Sequence, residues 1–486
     1  GKLWAVDRQA YLSDKKGAKP PAPLWSVPAG KARTMIQAGG QLIVAGPGEI
    51  AIHDAADGKR LWRTAVYGTV EGLAVSEGRL LVSLADGRTV CYASKTAQTR
   101  TTEEPRTDAP FPPRALLEQA AEHAIAAAGV KAGYCLVLDA NTGQLAWEIA
   151  KRSDFRVICR EADAAKANAM RAALMRTGLY GNRIEVHCGT SESLPYPRYF
   201  ANLIVCEGSL SGRLPPTEAA EGILRVMRPF GGVVDIALAG GAEPHRRLTE
   251  WGLRLLPEWK VSIGQIMHGV ARRGPLAGSG EWSHFYGDPG NTACSNDQMH
   301  AGPMELQWFG RPGPHDMVDR HKKGPAPLVV NGRLFVPGFN HLSVLDAYNG
   351  FVLWEKPIAN SVRVAAFKDS SSVVATDREV LVAAGESCLV LDAQTGKCRL
   401  TIPAPGPAGE KAWGYLARVD GLVVGSVAKP DGSLRAMTKL EDTIIWRNQQ
   451  PVVCSMSLFA ARQDDGQCVW TYAAGGAIAK IGRAHA

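Results

Sequence analysis

One phrase of nine residues recurs four times in this chain, and the recurrence constrains the fold more than any other feature. The phrase is aspartate, alanine, two residues, glycine, three residues and tryptophan. Its copies lie at residues 54–62 (DAADGKRLW), 139–147 (DANTGQLAW), 346–354 (DAYNGFVLW) and, with leucine in the last place, 392–400 (DAQTGKCRL). A fixed phrase at wide intervals is typical of a repeat architecture, in which similar small units are arranged one after another.

The segments at both ends of the chain, about residues 1–95 and 281–479, have the pattern of many short strands. Brief apolar runs alternate with Gly-Gly, Pro-Gly, Glu-Gly and Asp-Gly pairs, which are the turn residues of antiparallel hairpins. In a four-stranded blade, the Asp and Gly of the phrase would close a turn and the Trp would pack against the neighbouring blade. The ~320 residues outside the middle segment are enough for about seven or eight blades of ~40 residues.

These end segments resemble β-propellers of the pyrroloquinoline-quinone (PQQ-like) type. The resemblance is carried by the copies at 54–62, 346–354 and 392–400 and by residues 282–292 (WSHFYGDPGNT). It implies an incomplete all-β propeller, in a family that contains quinone-dependent dehydrogenases as well as scaffolds without a cofactor. Those dehydrogenases combine the quinone with calcium and often a vicinal disulfide. None of the ten cysteines here are adjacent, so we do not expect PQQ or calcium.

The middle segment, about residues 113–275, follows a different pattern. Alanine-rich stretches with helical spacing, such as 114–128 and 164–176, alternate with short apolar runs. This alternation predicts an α/β domain with a parallel sheet and helices on both faces. We therefore predict a multidomain chain whose all-β propeller is interrupted by a Rossmann-like domain. The predicted boundaries are 1–95 for N-terminal blades, 96–112 for a linker, 113–275 for the α/β domain and 276–486 for C-terminal blades.

The copy at 139–147 allows two interpretations. It is either one more blade turn, or a loop that leads from a strand at 135–138 into a helix at 144–152. The residues that follow continue as helix, strand and helix, which a blade does not do. The pattern therefore favours the α/β interpretation.

The α/β segment resembles class I S-adenosylmethionine-dependent methyltransferases. In that family a glycine-rich loop after the first strand lets the backbone approach the cofactor, and a carboxylate after the second strand binds the ribose. The loop corresponds here to Asp139, Asn141 and Gly143, of which only the last is glycine, and the carboxylate corresponds to Glu161. The resemblance implies that S-adenosylmethionine is a possible cofactor, and these departures predict that its site is degenerate.

Three more positions follow from the same resemblance. Thr190 stands where the family has an acidic residue after the third strand, and Asn202 stands where it has an aspartate at the fourth strand. Asn202 and Glu207 are the candidate catalytic residues, Glu207 as a base, although a surface carboxylate is the alternative for Glu207. The enzymatic activity is left open, because the cofactor motif is eroded.

A polar cluster in the proline-rich stretch 311–327 is the one weak candidate for a metal site. It contains His315, Asp316, Asp319 and His321, whose side chains are metal-ligand types. The alternative is an ordinary solvated connection. Apart from this weak candidate, we predict no metal site.

The charge and the apolar runs of the sequence exclude two classes of function. The net charge of +8 is spread thinly over 486 residues, so no nucleic-acid partner is expected, and no apolar run reaches the ~18 residues of a membrane span. We expect a protein or polymer partner on the propeller face, and a non-catalytic scaffold is the alternative to the methyltransferase hypothesis. A PQQ-dependent oxidoreductase is a weaker third alternative.

The compartment depends on which hypothesis holds. The propeller resemblance suggests an extracytoplasmic, periplasmic protein, whereas an active methyltransferase domain would indicate the cytoplasm. The chain begins inside a repeat phrase and ends in a tail that resembles translated adapter sequence, so we expect a fragment.

Overall fold

The computed structural model describes residues 1–13, 22–85, 87–93, 107, 109–299, 305–313, 325–361, 371–428 and 455–478. Residues 1–104 and 105–486 form two compact units. In the described residues, no helix is long and apolar enough to cross a membrane. The candidate metal residues His315, Asp316, Asp319 and His321 lie outside the described residues.

The first unit consists mainly of antiparallel strands. Its elements are β1 (Lys2–Ala5), α1 (Arg8–Ser13), β2 (Trp25–Pro28), β3 (Thr34–Ala38), β4 (Gln41–Asp54), β5 (Arg60–Ser76), β6 (Arg79–Leu84) and β7 (Thr89–Tyr92). Strands β3 to β7 form a five-stranded sheet in chain order, and β1 pairs with β2. Apolar side chains such as Ile43, Ile50 and Val82 form its core. The sheet order is that of successive hairpins, as the turn residues predict.

The second unit begins with an α/β domain. Its elements are α2 (Ala115–Ala128), β8 (Ala132–Leu138), α3 (Gln144–Arg152), β9 (Asp154–Glu161), α4 (Ala164–Met175), β10 (Ile184–Cys188), β11 (Leu203–Cys206), α5 (Ala219–Val226), β12 (Val233–Ala239), α6 (Ala242–Leu255), β13 (Lys260–Ser262) and β14 (Ile266–Arg272). The copy at 139–147 therefore leads from strand β8 into helix α3, as the α/β interpretation predicts.

The seven strands of the domain form one sheet in the order β10-β9-β8-β11-β12-β14-β13. Strands β8 to β12 are parallel to their neighbours, but β14 is antiparallel to both β12 and β13. The prediction of a parallel sheet is therefore wrong at this edge. Helices α2, α3 and α4 cover one face, and α5 and α6 cover the other. The strand order reverses between β8 and β11, and a ligand of an open α/β sheet binds outside the carboxyl ends of the strands at such a reversal.

Three four-stranded antiparallel sheets follow the α/β domain. They consist of β15 (Leu328–Val330), β16 (Arg333–Gly338), β17 (His341–Asp346) and β18 (Val352–Pro357); β19 (Val373–Ala375), β20 (Glu379–Ala384), β21 (Ser387–Asp392) and β22 (Cys398–Pro403); and β23 (Ala412–Val419), β24 (Leu422–Ala428), β25 (Ser455–Arg462) and β26 (Cys468–Ile478). Each sheet packs on the next through buried apolar side chains. These are blade-type sheets. The total of seven or eight blades, the domain boundaries and the interruption of one propeller remain predictions.

The repeat phrase closes the same turn in each blade copy. In the copy at 392–400, the amide of Asp392 donates to Lys397 O at 2.8 Å and that of Gly396 donates to Asp392 O at 2.9 Å. The copies at 54–62 and 346–354 make the same pair of bonds. A fifth copy that sequence inspection missed, 462–470, also makes them, with Arg462 in the place of the aspartate. Sequence inspection missed this copy because Arg462 and Gln463 stand in place of the aspartate and alanine.

Three of these turns also receive a tryptophan from the preceding sheet or segment, whereas Gly466 of the fifth copy meets Leu400 and Ile402. The indole Nε1–H of Trp354 donates to Ala393 O at 3.1 Å, and its ring lies over Gly396, where an added Cβ would come within 2.7 Å. Gly396 has φ of +68°, a conformation that glycine adopts without strain. The same arrangement joins Trp308 to Ala347 and Gly350, and Trp25 to Ala55 and Gly58. These contacts explain the residues of the phrase. Asp forms the turn, the Ala carbonyl accepts the indole N–H, and Gly leaves room for the indole ring. The final Trp packs on the turn of the next sheet, as Trp354 does.

We predict that Gly396→Ala lowers the free energy of unfolding by about 2–5 kcal/mol, because a left-handed alanine and a clash with Trp354 add together. The matched control is Gly421→Ala, since Gly421 has φ of +78° but no atom within 4 Å of an added Cβ. The control should cost only about 1–2 kcal/mol. Equal losses in urea denaturation would show that the tryptophan contact contributes nothing.

The α/β domain contacts the first blade of the second unit through a buried polar group. Asp346, 1% exposed, forms an ion pair with Arg228 and accepts a bond from Asn202 Nδ2 at 3.1 Å. Arg228 also donates to Gly332 O, and Asn349 Nδ2 donates to Asn202 Oδ1 at 3.0 Å. The aspartate of a repeat phrase therefore also anchors the neighbouring domain.

We predict that Arg228→Ala lowers the free energy of unfolding by about 3–5 kcal/mol, because it leaves the Asp346 carboxylate buried without its cation. The control is Arg462→Ala, whose partner Asp465 is about half exposed. This exposed pair should contribute little, so the control should denature at nearly the wild-type urea concentration. Loss of the same size in both variants would contradict the role of the buried pair.

Candidate functional site

The loop after β8 retains a glycine-like backbone although two of its glycine places hold larger residues. Asp139 has φ of +41° and Asn141 has φ of +48°, and Gly143 has φ of +80°. Asp and Asn tolerate this region better than most residues with a side chain. Asp139 packs its Cβ against Gly208, and burial, with Glu161 nearby, raises the pKa of its carboxyl. The loop therefore has the predicted course, with side chains where the resemblance implies bare backbone.

Glu161, the predicted ribose carboxylate, ends β9 and lies beside this loop. Its Oε2 accepts the backbone N–H of Asn141 at 2.7 Å, and its Oε1 accepts the N–H of Asp163 at 3.0 Å. The residue is only 6% exposed. Asn141 is further fixed by Lys166, whose Nζ donates to its Oδ1 at 3.0 Å. Glu161 thus holds the loop to the start of α4.

Glu207 follows β11 and is 3% exposed, so the alternative of a surface carboxylate is wrong. It accepts the N–H of Thr142 at 3.0 Å and that of Leu145 at 3.1 Å, and also the hydroxyl of Thr142. These amides belong to the first turn of α3 and the loop before it, where a helix lacks internal acceptors. Glu207 therefore accepts the backbone N–H groups that are left without partners at the N-terminus of α3. Burial raises the pKa of its carboxyl to about 7, against the opposing effect of these hydrogen bonds.

Thr190 lies in the loop after β10, where it is exposed. Its carbonyl accepts from Arg160 Nε at 3.1 Å, and the same buried guanidinium donates to Cys188 O and Ser193 O. The guanidinium of Arg160 leaves no room for a side chain at position 189, because a Cβ added to Gly189 would lie 2.1 Å from Arg160 Nη2. A cation that sequence inspection did not single out, Arg160, therefore shapes the loop that holds Thr190.

Asn202 does not join the other candidates. Its Oδ1 accepts the N–H of Tyr134 at 2.9 Å. It precedes the amino end of β11, whereas Glu207 follows the carboxyl end of the same strand. Five residues of extended chain separate the two, about 16 Å at the usual rise of a strand. The structure thus places Asn202 at the contact with the first C-terminal blade. This placement does not bring the two candidate catalytic residues together, and their catalytic roles remain predictions.

The residues at this edge of the sheet do not fit S-adenosylmethionine in the arrangement shown. Both Glu161 oxygens already accept backbone amides, and the loop amides of Asn141 and Thr142 donate to the two glutamates instead of facing a ligand. The side chains of Asp139 and Asn141 add bulk where close backbone approach is needed. The cofactor roles of Asp139, Asn141, Gly143, Glu161 and Thr190 remain predictions.

Sequence inspection missed a second cluster of ionisable side chains. His123, Asp235 and His268 meet on the face of the sheet that α2 covers, and one potential ligand atom from each lies within 4.8 Å of the other two. The hydrogen bond to Asp235 raises the pKa of His123. The available signal was Asp235 itself, a single carboxylate within the apolar run 232–238.

These features define a class of protein: a repeat protein of blade-type sheets that carries a methyltransferase-like α/β domain. Residues 2–182 and 305–477 match the family described as outer membrane protein assembly factor BamB, a PQQ-like repeat family. The chain belongs to this family. The first match runs through residues 139–147, where the structure has the strand, loop and helix of the α/β domain.

The solved structures that resemble the chain include two proteins described as methyltransferases. One, from Methanococcus maripaludis, is described as S-adenosyl-L-methionine-dependent; it is 19% identical, with a TM-score of 0.28, and the match covers 33% of this chain and 87% of the other. The other, a SAM-dependent methyltransferase from Aquifex aeolicus, is 19% identical with a TM-score of 0.27, covering 31% and 88%. No curated protein matches the chain.

We predict that stability falls as the pH rises from about 4.5 to about 7, because Glu207 keeps its proton in the folded state after the unfolded chain has lost it. The contribution is about 3 kcal/mol across this window. Glu207→Gln should remove this part of the pH dependence of the unfolding free energy, measured by urea denaturation at several pH values. The exposed Glu221→Gln control should retain it, and an unchanged slope in Glu207→Gln would refute the assignment.

Proposed function

We propose that this chain is a BamB-family scaffold that binds a protein partner outside the cytoplasm, and that its methyltransferase-like domain is degenerate and transfers no methyl group. The observation that carries the proposal is the use of Glu161 and Glu207 as internal acceptors for the loop between β8 and α3. Carboxylates engaged in this way stabilise the domain and leave few acceptors for a ligand.

The energetic argument supports the loss of cofactor binding. One acidic position of the family at this edge of the sheet is neutral here, at Thr190, and a lost charge-assisted hydrogen bond is worth about 1.5–3 kcal/mol. This loss corresponds to about one to two orders of magnitude in the dissociation constant. The ribose hydroxyls would also have to share the Glu161 oxygens with the backbone amides that these oxygens already accept.

The family membership supports the scaffold role. The description of the family names assembly of outer membrane proteins, which is work on protein partners outside the cytoplasm. The ion pair of Arg228 with Asp346 supports a fixed placement of the α/β domain on the first C-terminal blade, because both residues are buried. A domain held in this way can extend the surface that the blades offer to a partner.

Methyl transfer is the second candidate, and one observation favours it. Asp139 and Asn141 keep the left-handed backbone that glycines have in such a loop. If the Asp139 carboxylate replaced a lost contact, the site could still accept the cofactor.

Calorimetric titration of the full chain with S-adenosylmethionine separates the two candidates. We expect no saturable heat up to about 1 mM ligand, which means less than about 4 kcal/mol of binding free energy. An active class I methyltransferase titrated in parallel is the positive control. Saturable heat from the wild-type chain would overturn the proposal. Abolition of that heat in Glu161→Gln would then establish the predicted cofactor site.

A further inference from the structure

A buried carboxylate lies between two imidazoles on one face of the α/β domain. Asp235 belongs to β12 and His268 to β14, and the pairing of Ala237 with His268 places Asp235 diagonally beside His268 on the same face. His123 comes from α2, which packs on that face. Three elements that are distant in sequence therefore bring these side chains together.

The contacts within the cluster are close. His123 Nδ1 lies 2.7 Å from Asp235 Oδ2, and His268 Nδ1 lies 2.9 Å from Asp235 Oδ1. The two imidazole rings are stacked, with centroids 3.5 Å apart and planes inclined by 22°. Each ring thus directs the same nitrogen at a different oxygen of one carboxylate.

The surroundings make this carboxylate exceptional. Six of the seven residues of β12 are buried, and Asp235, itself 2% exposed, is the only ionisable one among them. Burial of a charge is costly unless a cation or a metal compensates it. The His123 side chain is 38% exposed, so solvent reaches the cluster from the side of α2.

We propose that His123, Asp235 and His268 form a binding site for a divalent transition-metal ion such as Zn²⁺. Two imidazole nitrogens and one carboxylate oxygen form a ligand set that suits Zn²⁺ and related ions, and three protein ligands leave a position for water. Binding at Nδ1 requires each ring in its Nε2–H form: a neutral ring with hydrogen on Nδ1 loses that proton to water and gains one on Nε2, and a protonated ring releases its Nδ1 proton to solvent.

The spacing of the atoms agrees with this ligand set. Metal–nitrogen distances of about 2.0–2.1 Å require ligand atoms about 3.3 Å apart around a tetrahedral ion. The observed N–O separations of 2.7 and 2.9 Å are slightly shorter, and all three ligand atoms lie within 4.8 Å of one another. A tilt of the half-exposed His123 ring is enough to admit the ion.

The test is a titration of the metal-free full chain with Co²⁺, followed by the visible absorption of the bound ion, and with Zn²⁺ by calorimetry. We expect one ion per chain and a higher melting temperature in its presence. His123→Asn is the decisive variant, because an asparagine N–H can replace the Nδ1 donor to Asp235 but does not replace the metal ligand. It should fold and weaken binding by at least ~100-fold, the upper end of the loss from an outer-shell change.

Two control variants identify the ligands. His245→Ala changes another histidine of the α/β domain, and His315→Ala with His321→Ala removes the histidines of the polar cluster in the stretch 311–327. Both controls should bind one ion with unchanged affinity. The proposal is overturned if the wild-type chain binds no ion at millimolar Co²⁺ or Zn²⁺, if folded His123→Asn binds as the wild type does, or if a control loses the ion.

Discussion

A tryptophan ring lying on a left-handed glycine is the contact from which the blade part of this protein is built. Trp354 reaches Gly396 and the carbonyl of Ala393 in the next sheet, and Trp308 reaches Gly350 and Ala347 in the same way. The contact needs a residue without a side chain, because a Cβ at Gly396 would lie 2.7 Å from the indole. These contacts join a turn to the sheet or segment that precedes it, and the phrase recurs where they recur.

The α/β domain is organised around a different constraint, the satisfaction of backbone amides at the strand-order reversal. Glu161 and Glu207 accept the amides of a loop that has to leave β8 and enter α3 within a few residues. In this position a ligand-binding domain would keep some donors and acceptors free. Here the oxygens of both carboxylates accept backbone amides of the domain itself, and this use supports the proposed scaffold role.

The two halves of the second unit share residues at their junction. Asp346 closes a blade turn by accepting the N–H of Tyr348. It also forms an ion pair with Arg228 and accepts a hydrogen bond from Asn202, both of the α/β domain. The aromatic rings of Tyr199 and Phe230, both from the α/β domain, contact the ring of Tyr348 beside this group. On the sheet face under α2, the His123–Asp235–His268 cluster is a separate polar centre that the junction does not use.

The sequence alone was sufficient for the existence and type of most elements. Turn pairs and the phrase predicted the blade strands, and alanine-rich helical spacing predicted α2 and α4 to within one residue at each end. The antiparallel strands β13 and β14 were missed, as was the fifth copy at 462–470, because a short edge strand and a substituted phrase give weak local signals. The clusters around Asp346 and Asp235 join residues more than 30 positions apart in the chain, so no local pattern could predict them.

The copy at 139–147 shows where sequence information ends. Its residues match the phrase as well as the blade copies do, and in both settings the glycine is left-handed and closely packed. In the blade copies Gly58, Gly350 and Gly396 each lie under a tryptophan, whereas Gly143 lies against Met170 of α4 and the chain continues as a helix. The sequence determined that a turn with a left-handed glycine forms at each copy. The phrase alone does not decide whether a strand or a helix follows, and the residues after it predicted the helix at 144–152. Only the tertiary structure decided which partners fix each copy, because they come from distant parts of the chain: a neighbouring sheet for the blade copies, and Glu207 and α4 for this one.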